Sequence, residues 1–286
     1  MLNHSFIPIT WLGFFSAFAV GPMQPMLASS KNPADEHVKL ELVSEQNAVV
    51  PGKELWLGIR FDLQDGWHTY WTNPGDSGEA PRIEWRMPAG FEAGAIQWPH
   101  PERLATPPFA DYGYEHQVLL IVPVRPPAEL KDGQTQKIAA LVRYLICKDV
   151  CIPGQKQLEL SLPAQTHALA SQARELFDAA RSRLPRPAPR KWKISADSIR
   201  AEFLLNLKIG KLDKAPQFFP LDAEQIENAA SQETTAIPGG IRLHLKKSKH
   251  LLKPIARLKG VVVLGPGRAY LLDVPVSQAP GRATRN

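Results

Sequence analysis

Short runs of alternating apolar and polar residues dominate the first half of the chain, a pattern typical of half-buried β-strands. The segment ELWLGIRFDL is one such run, and its alternate apolar side chains are Leu55, Leu57, Ile59 and Phe61. RIEWRM, QVLLIVPV, KIAALVRYLIC and KQLELSL follow at the spacing expected of an antiparallel sandwich. We therefore predict one all-β domain over residues 31–163.

The period of the pattern changes after residue 163. AQTHALASQARELFDAARSRL, residues 164–184, is rich in alanine, has apolar residues at helical spacing and stops at a proline, which predicts a helix. PRPAPR then predicts a stiff, extended connector, so residues 164–190 form a helix and a linker. New strand-like runs, including EFLLNLKI and AYLLDVPV, predict a second, smaller sandwich over residues 191–278. Residues 279–286 are predicted to be a disordered tail.

The first thirty residues differ from the rest. FIPITWLGFFSAFAV, residues 6–20, is apolar and uncharged but too short to span a bilayer comfortably. Small residues in MLASS offer a cleavage site after Ala28 or Ser30, which predicts a signal peptide over residues 1–30. No Lys or Arg precedes the apolar run, so an uncleaved anchor is the alternative. Either way we expect a periplasmic protein, in a compartment where disulfides persist.

Composition adds few constraints. Hydrophobic residues make up 44% of the 286 positions and charged residues 22%, which is ordinary for a globular protein. The formal net charge is +6, but the basic residues are scattered and form no basic helix or ladder of Arg and aromatic residues. We therefore expect no nucleic-acid partner.

Chemistry is concentrated in YLICKDVCIPG, which holds the two cysteines of the chain, Cys147 and Cys151. A disulfide between them closes so small a loop that chain entropy predicts only about 2 kcal/mol of stabilisation, against nearly 5 for a hundred-residue loop. The charges beside the thiols do not decide their reactivity, because Lys148 favours a thiolate and Asp149 opposes it.

A metal site needs more donors than these two thiolates. Cu(I) or Zn(II) would call on His68, His100 or His116, and none of these stands at ligand spacing to another. Spacing alone therefore leaves a structural disulfide, a redox pair and a thiolate metal site all open.

The neighbouring residues carry a resemblance. YLICKDVCIPGQKQLEL resembles the cysteine hairpin of the periplasmic amino-terminal domain of the DsbD family of thiol:disulfide interchange proteins, more specifically its ScsB-like branch. GWHTYWTNPGDSGEAPRIEW, IQWPHPERL and DYGYEHQVLLIVPV are similar to that branch in the same order. FFPLDAEQIENAASQ, residues 218–232, with LKGVVVL is similar to its second domain. The resemblance implies an immunoglobulin-like fold, so the predicted fold is two such β-sandwich domains joined by a helix and a Pro-rich connector.

The resemblance also implies a function. The Cys147/Cys151 pair would receive electrons from a membrane-embedded partner and reduce disulfides in periplasmic client proteins, one cysteine attacking and the other resolving. The resemblance thus implies a protein-disulfide reductase component that needs no cofactor or metal, with a role in copper tolerance or cytochrome assembly. The membrane helices and thioredoxin-like domain of full-length members are not found in this sequence, so a separate membrane electron donor of the DsbD type is expected. The alternative is a non-catalytic interaction module with a structural disulfide or a Cu/Zn thiolate site.

Aromatic residues in PPFADYGYE match the family's cap loop, which shields the sulfurs from wrong partners. Phe109 and Tyr112 are the candidates for the cap, whereas Tyr114 is expected in the core. The stretch GWHTYWTNPGDSG is expected to pack through Trp67, Tyr70 and Trp71 and to build a turn, rather than to supply an acid–base group from His68 or Asp76.

Overall fold

The computed structural model describes residues 1, 32–212 and 214–278. The predicted signal peptide, apart from Met1, and the predicted tail lie outside these residues. Within them nearly all the regular secondary structure is strand, which confirms the predicted all-β class. No helix of the described part of the chain is long and apolar enough to cross a membrane.

The first domain consists of two antiparallel sheets behind a short 3-10 turn, Pro33–Glu36. One sheet has the order β1-β2-β8-β5, and the other has the order β10-β9-β3-β7-β6 with β4 also paired to β9. The strands are β1 (Val38–Ser44), β2 (Leu55–Leu63), β3 (His68–Gly75), β4 (Arg82–Arg86), β5 (Glu92–Ala93), β6 (Glu102–Thr106), β7 (Phe109–Glu115), β8 (Gln117–Arg125), β9 (Thr135–Cys147) and β10 (Cys151–Pro163). Alternate side chains of β2 and β9, such as Ile59, Phe61 and Val142, are fully buried between the sheets. The period-2 pattern thus supplies the core.

The second domain is a single eight-stranded sheet whose two halves share one core. Its order is β14-β17-β18-β12-β13-β16-β15, with β11 paired to β18. The strands are β11 (Arg186–Pro187), β12 (Lys193–Ile199), β13 (Glu202–Lys208), β14 (Gln217–Pro220), β15 (Glu233–Ile237), β16 (Gly240–Lys246), β17 (Arg257–Val263) and β18 (Ala269–Gln278). Phe203 and Leu205 from one half meet Phe218 and Leu258 from the other.

The connecting helix is shorter than the sequence predicts. Helix α1 covers Arg174–Ser182, whereas a helix over residues 164–184 was expected. The residues before it pair with the first domain: the Asn47 N–H donates to the Leu169 carbonyl, and the Ser171 N–H donates to the Glu45 carbonyl. These tertiary hydrogen bonds replace the local ones that a longer helix would make, so tertiary contacts override alanine propensity here.

Helix α1 packs on the outer face of the first domain. Phe177 and Ala180 are buried against Leu119 and Ile121 of β8. The PRPAPR connector continues directly into the second domain, because its β11 forms a parallel pair with β18. Two residues of the connector, Arg186 and Pro187, are thus a strand of that sheet.

A common core joins the two domains. Phe219, Val261 and Ala269 of the second domain belong to the same cluster of buried side chains as the core of the first. From Asn32 onwards the described residues accordingly form one compact unit.

Candidate functional site

The cysteines end the two strands of the β9–β10 hairpin. Cys147 and Cys151 are direct partners in the antiparallel register, and their sulfurs are bonded at 1.99 Å. The three loop residues between them are exposed, with Val150 64% exposed. The two cysteines differ in accessibility: Cys147 is 3% exposed, whereas Cys151 is exposed. The Cys151 end of the bridge is therefore the more accessible one.

A tyrosine hydroxyl lies against the buried sulfur. Strand β3 pairs with β9 so that His68 is opposite Cys147, and Tyr70 follows two residues later on the same face. The Tyr70 hydroxyl donates a hydrogen bond to Cys147 Sγ at 2.8 Å and is 3.7 Å from Cys151 Sγ. The sequence predicted only packing for Tyr70. The available signal was that Tyr70 stands two residues after His68, the strand partner of Cys147. This signal can be used only when the order of the strands in the sheet is known.

The Tyr70 hydroxyl keeps its proton at neutral pH. Burial raises the pKa of Tyr70 to about 12, the hydrogen bond from Ser77 opposes this, and the charge of Asp111 adds to it. A protonated hydroxyl is a donor, so it favours negative charge on the nearby sulfur.

The loop after β3 holds Tyr70 in place through a buried carboxylate. Asp111 is 2% exposed and accepts hydrogen bonds from the Ser77 N–H and hydroxyl, both at 2.9 Å, and from the Thr106 hydroxyl at 3.2 Å. Gly78 follows with φ of +78°, and a Cβ there would overlap the ring of Tyr70. The small residues of NPGDSG therefore bring the loop into contact with the tyrosine, beyond making the predicted turn.

His68 is buried beside this group without a role in the hydrogen-bond network. Its ring makes an edge contact with Tyr70 at 5.2 Å, and its Nε2 has no hydrogen-bond partner among the described residues. Burial lowers the pKa of His68 below 6.5, and the charges of Asp111 and Glu115 only partly oppose this. The folded chain therefore holds His68 as the neutral imidazole.

This burial predicts a pH dependence of stability. The pKa of His68 is lower in the folded chain, so the unfolded chain binds the extra proton and stability falls as the pH drops below about 6.5. We expect the free energy of unfolding to fall less steeply between pH 7 and 5 in His68→Gln than in the wild type. The difference is at most about 1.4 kcal/mol per pH unit, the value for one proton. Urea unfolding at each pH measures it, and the same substitution at the exposed His167 is the control. Equal slopes in wild type and His68→Gln would contradict the assignment.

The two cap candidates occupy different environments. Phe109 begins β7 at the end of the β6–β7 hairpin and is 53% exposed. Tyr112 is fully buried, and its hydroxyl donates to Asn228 Oδ1 of the second domain at 2.9 Å. Tyr114 is fully buried, as expected. Tyr112 is held in the domain interface, so of the two candidates Phe109 has the exposure that a cap residue needs.

The possible metal donors are dispersed. Among the described residues, no three His, Cys, Asp or Glu side chains lie together as a metal site requires. His100 contacts the Pro101 carbonyl, and His116 pairs with Asp65 at the surface.

Residues 39–163 match the family model described as "Thiol:disulfide interchange protein DsbD, N-terminal". Residues 39–163 are a DsbD amino-terminal domain. The match confirms the resemblance predicted from the cysteine hairpin, and the Cys147–Cys151 bridge lies within this DsbD-type domain. Among curated proteins, none is significantly similar to the chain in sequence.

Two solved structures extend the comparison. The N-terminal periplasmic domain of ScsB from Proteus mirabilis is similar with a TM-score of 0.66 and 17% identity, over 87% of this chain and 97% of that chain. At this identity the likeness shows the fold, and its extent includes the second domain as well as the DsbD-type domain. The reduced DsbD n-terminal domain of Neisseria meningitidis matches with a TM-score of 0.30 and 15% identity, over 49% of this chain and 94% of that chain.

Proposed function

We propose that the chain exchanges disulfides with partner proteins in the periplasm, relaying electrons from a membrane reductase to client disulfides through Cys147 and Cys151. One observation carries the proposal: Cys151 is exposed while Cys147 is buried with its sulfur against the Tyr70 hydroxyl. A bridge that served only stability would gain little from this arrangement, because so short a loop contributes only about 2 kcal/mol.

The difference in exposure supports different roles for the two sulfurs. The thiolate of the electron donor attacks the accessible sulfur of Cys151, and Cys147 leaves as a thiolate that accepts the Tyr70 hydrogen bond. A second donor thiol releases Cys151, and the reduced chain then holds two thiols.

Reduction of the client reverses these steps. The Cys151 thiolate attacks a client sulfur, the other client sulfur leaves as a thiolate and takes a proton from water, and a mixed disulfide forms. Cys147 then attacks Cys151 Sγ, which releases the second client thiol and restores the bridge. Two electrons pass from the dithiol to the client, and each sulfur bond that breaks is matched by one that forms.

The surroundings of Cys151 suit a protein partner. The exposed Val150 precedes it, and a groove of about 700 Å³ beside the hairpin is lined by Gly78, Arg82, Arg143 and Gly154 among others. Phe109, exposed on β7 of the same sheet, is the proposed cap that a docking partner displaces. The electron donor is a separate membrane protein of the DsbD type, and copper tolerance or cytochrome assembly is the proposed setting.

Single-cysteine variants test the assignment of the sulfurs. Cys147→Ala keeps the exposed nucleophile without the resolving thiol, so we expect it to accumulate a mixed disulfide with a disulfide-bonded protein. Cys151→Ala keeps only the buried thiol and is expected to trap at least about tenfold less, following the difference in access. Non-reducing gels and intact mass measure the adduct.

Two results would contradict the proposal. Equal trapping by the two variants would remove the assignment of Cys151 as the attacked sulfur. A reduction potential of the bridge below about −300 mV would identify it as a structural disulfide rather than an exchanging one.

A further inference from the structure

Strand β14 of the second domain and the segment that follows it lie against β3, the neighbour of the cysteine strand β9, and against β7. Phe219 makes edge contacts with Trp71 at 6.4 Å and with Tyr112 at 5.2 Å. The Asn73 side chain donates to the Pro220 carbonyl at 2.8 Å. The contacts on the first domain come from β3, the loop after it and β7, which are the segments that also carry the disulfide's neighbours.

Asn228 forms hydrogen bonds to the first domain through both its side chain and its backbone carbonyl. It is 5% exposed, its side-chain Nδ2 donates to Asp76 Oδ1 at 2.8 Å, and its Oδ1 accepts from the Tyr112 hydroxyl at 2.9 Å. Its backbone carbonyl accepts from Arg103 Nε of β6 at 3.0 Å. One side chain and its carbonyl therefore join the loop after β3 to both strands of the β6–β7 hairpin.

Asp76, which accepts the Asn228 hydrogen bond, is connected to the surroundings of the disulfide through the β6–β7 hairpin and through the loop after β3. Asp76 Oδ2 accepts from the Ala110 N–H at 2.9 Å, and Ala110 follows the exposed Phe109. Along the chain Asp76 precedes Ser77, which holds Asp111, and Gly78, which touches the Tyr70 ring beside Cys147. Loss of the Asn228 contact releases both the hairpin end and the loop that supports Tyr70.

We propose that Asn228 is a positioning residue for the disulfide: through Asp76 it holds the loop 73–78 and the β6–β7 hairpin, and so limits access of small thiols to the bridge. The second domain thereby sets which thiols react with a bond in the first. This specificity role goes beyond the proposed exchange function and rests on that function only for the reactivity of the bridge.

A charge swap tests this role directly. Asn228→Asp places a second carboxylate against Asp76 and removes the hydrogen bond between the two side chains. The double variant Asn228→Asp with Asp76→Asn restores this hydrogen bond with the donor and the acceptor exchanged. The amide introduced at position 76 would accept from the Ala110 N–H and donate to the carboxylate introduced at position 228, whose second oxygen would accept from the Tyr112 hydroxyl. Asn206→Ala is the matched control, because Asn206 is 6% exposed and its side-chain hydrogen bonds within the described part of the chain go to Ser195, Asp197 and Arg242 of the second domain.

The readout is the second-order rate of bridge reduction by dithiothreitol, measured by thiol alkylation and mass. We expect Asn228→Asp to raise this rate by about threefold to tenfold, as the loss of one hydrogen bond from a local opening equilibrium predicts. The double variant and Asn206→Ala should react at the wild-type rate. Hydrogen exchange should accelerate in residues 73–78 and 106–112 of Asn228→Asp alone; if that variant does not fold, Asn228→Ala takes its place.

The outcomes separate this inference from the proposed function. An unchanged dithiothreitol rate in Asn228→Asp, or an equal rise in Asn206→Ala, overturns the positioning role. A chain that never reacts with a protein disulfide, yet shows the expected dithiothreitol rates, refutes the relay and leaves the positioning role supported.

Discussion

The thiol pKa of Cys147 is expected to rise by about 1 to 2 units when Tyr70 is replaced by Phe. A hydrogen bond to a charged group contributes about 1.5–3 kcal/mol, and one pKa unit corresponds to about 1.4 kcal/mol. The Tyr70 hydroxyl donates to Cys147 Sγ at 2.8 Å, and burial raises the pKa of Tyr70 to about 12, so the hydroxyl remains a donor when the sulfur becomes a thiolate. Absorbance of the thiolate near 240 nm as a function of pH, in a Cys151→Ala background, measures the change.

The reduction potential of the bridge is expected to fall in the same variant. A less stable Cys147 thiolate makes the oxidised form relatively more stable. Tyr114→Phe is the matched control, since Tyr114 is equally buried but its hydroxyl donates to the Pro99 carbonyl instead. A Cys147 pKa that is the same in wild type and Tyr70→Phe would show that the hydroxyl does not stabilise the thiolate.

The strands of the first domain could be predicted from the sequence because their side chains alternate between core and solvent. The run containing Ile59 and Phe61 became β2, and KIAALVRYLIC became most of β9. The cysteine hairpin followed from the same logic, since two such strands joined by three residues place Cys147 opposite Cys151. The helix was overestimated because its first half makes backbone bonds to residues 45–49, which local propensity does not represent.

The role of Tyr70 could not be predicted because it depends on strand order. A tyrosine 77 positions before Cys147 meets its sulfur only if β3 is a neighbour of β9 in the sheet, and alternation does not specify neighbours. The same limit applies to the domain interface. FFPLDAEQIENAASQ was recognised by resemblance, but its letters do not show that Phe219 fills the core of the other domain or that Asn228 bonds to Asp76.

Truncation of Phe219 to Ala is expected to lower the free energy of unfolding by about 3–5 kcal/mol, the range for a large aromatic side chain lost from a core. Phe219 is 1% exposed and lies in the core cluster of the first domain although it belongs to a strand of the second. Its loss therefore removes contacts between domains as well as volume. We expect the wild type to unfold in one cooperative transition and Phe219→Ala to unfold in two, because the shared core no longer couples the domains.

The comparison with Phe203→Ala distinguishes coupling from simple loss of stability. Phe203 is also 1% exposed, but it is buried only in the second domain's own core, so its truncation has a similar cost without cutting the interface. Urea unfolding followed by tryptophan fluorescence and by far-UV circular dichroism measures both variants. In Phe219→Ala the two signals should diverge, and the bridge should react faster with dithiothreitol, since the support that reaches the disulfide through Asn228 crosses the same interface. Coincident transitions in Phe219→Ala with a loss below about 1 kcal/mol would mean that Phe219 is not what couples the two domains.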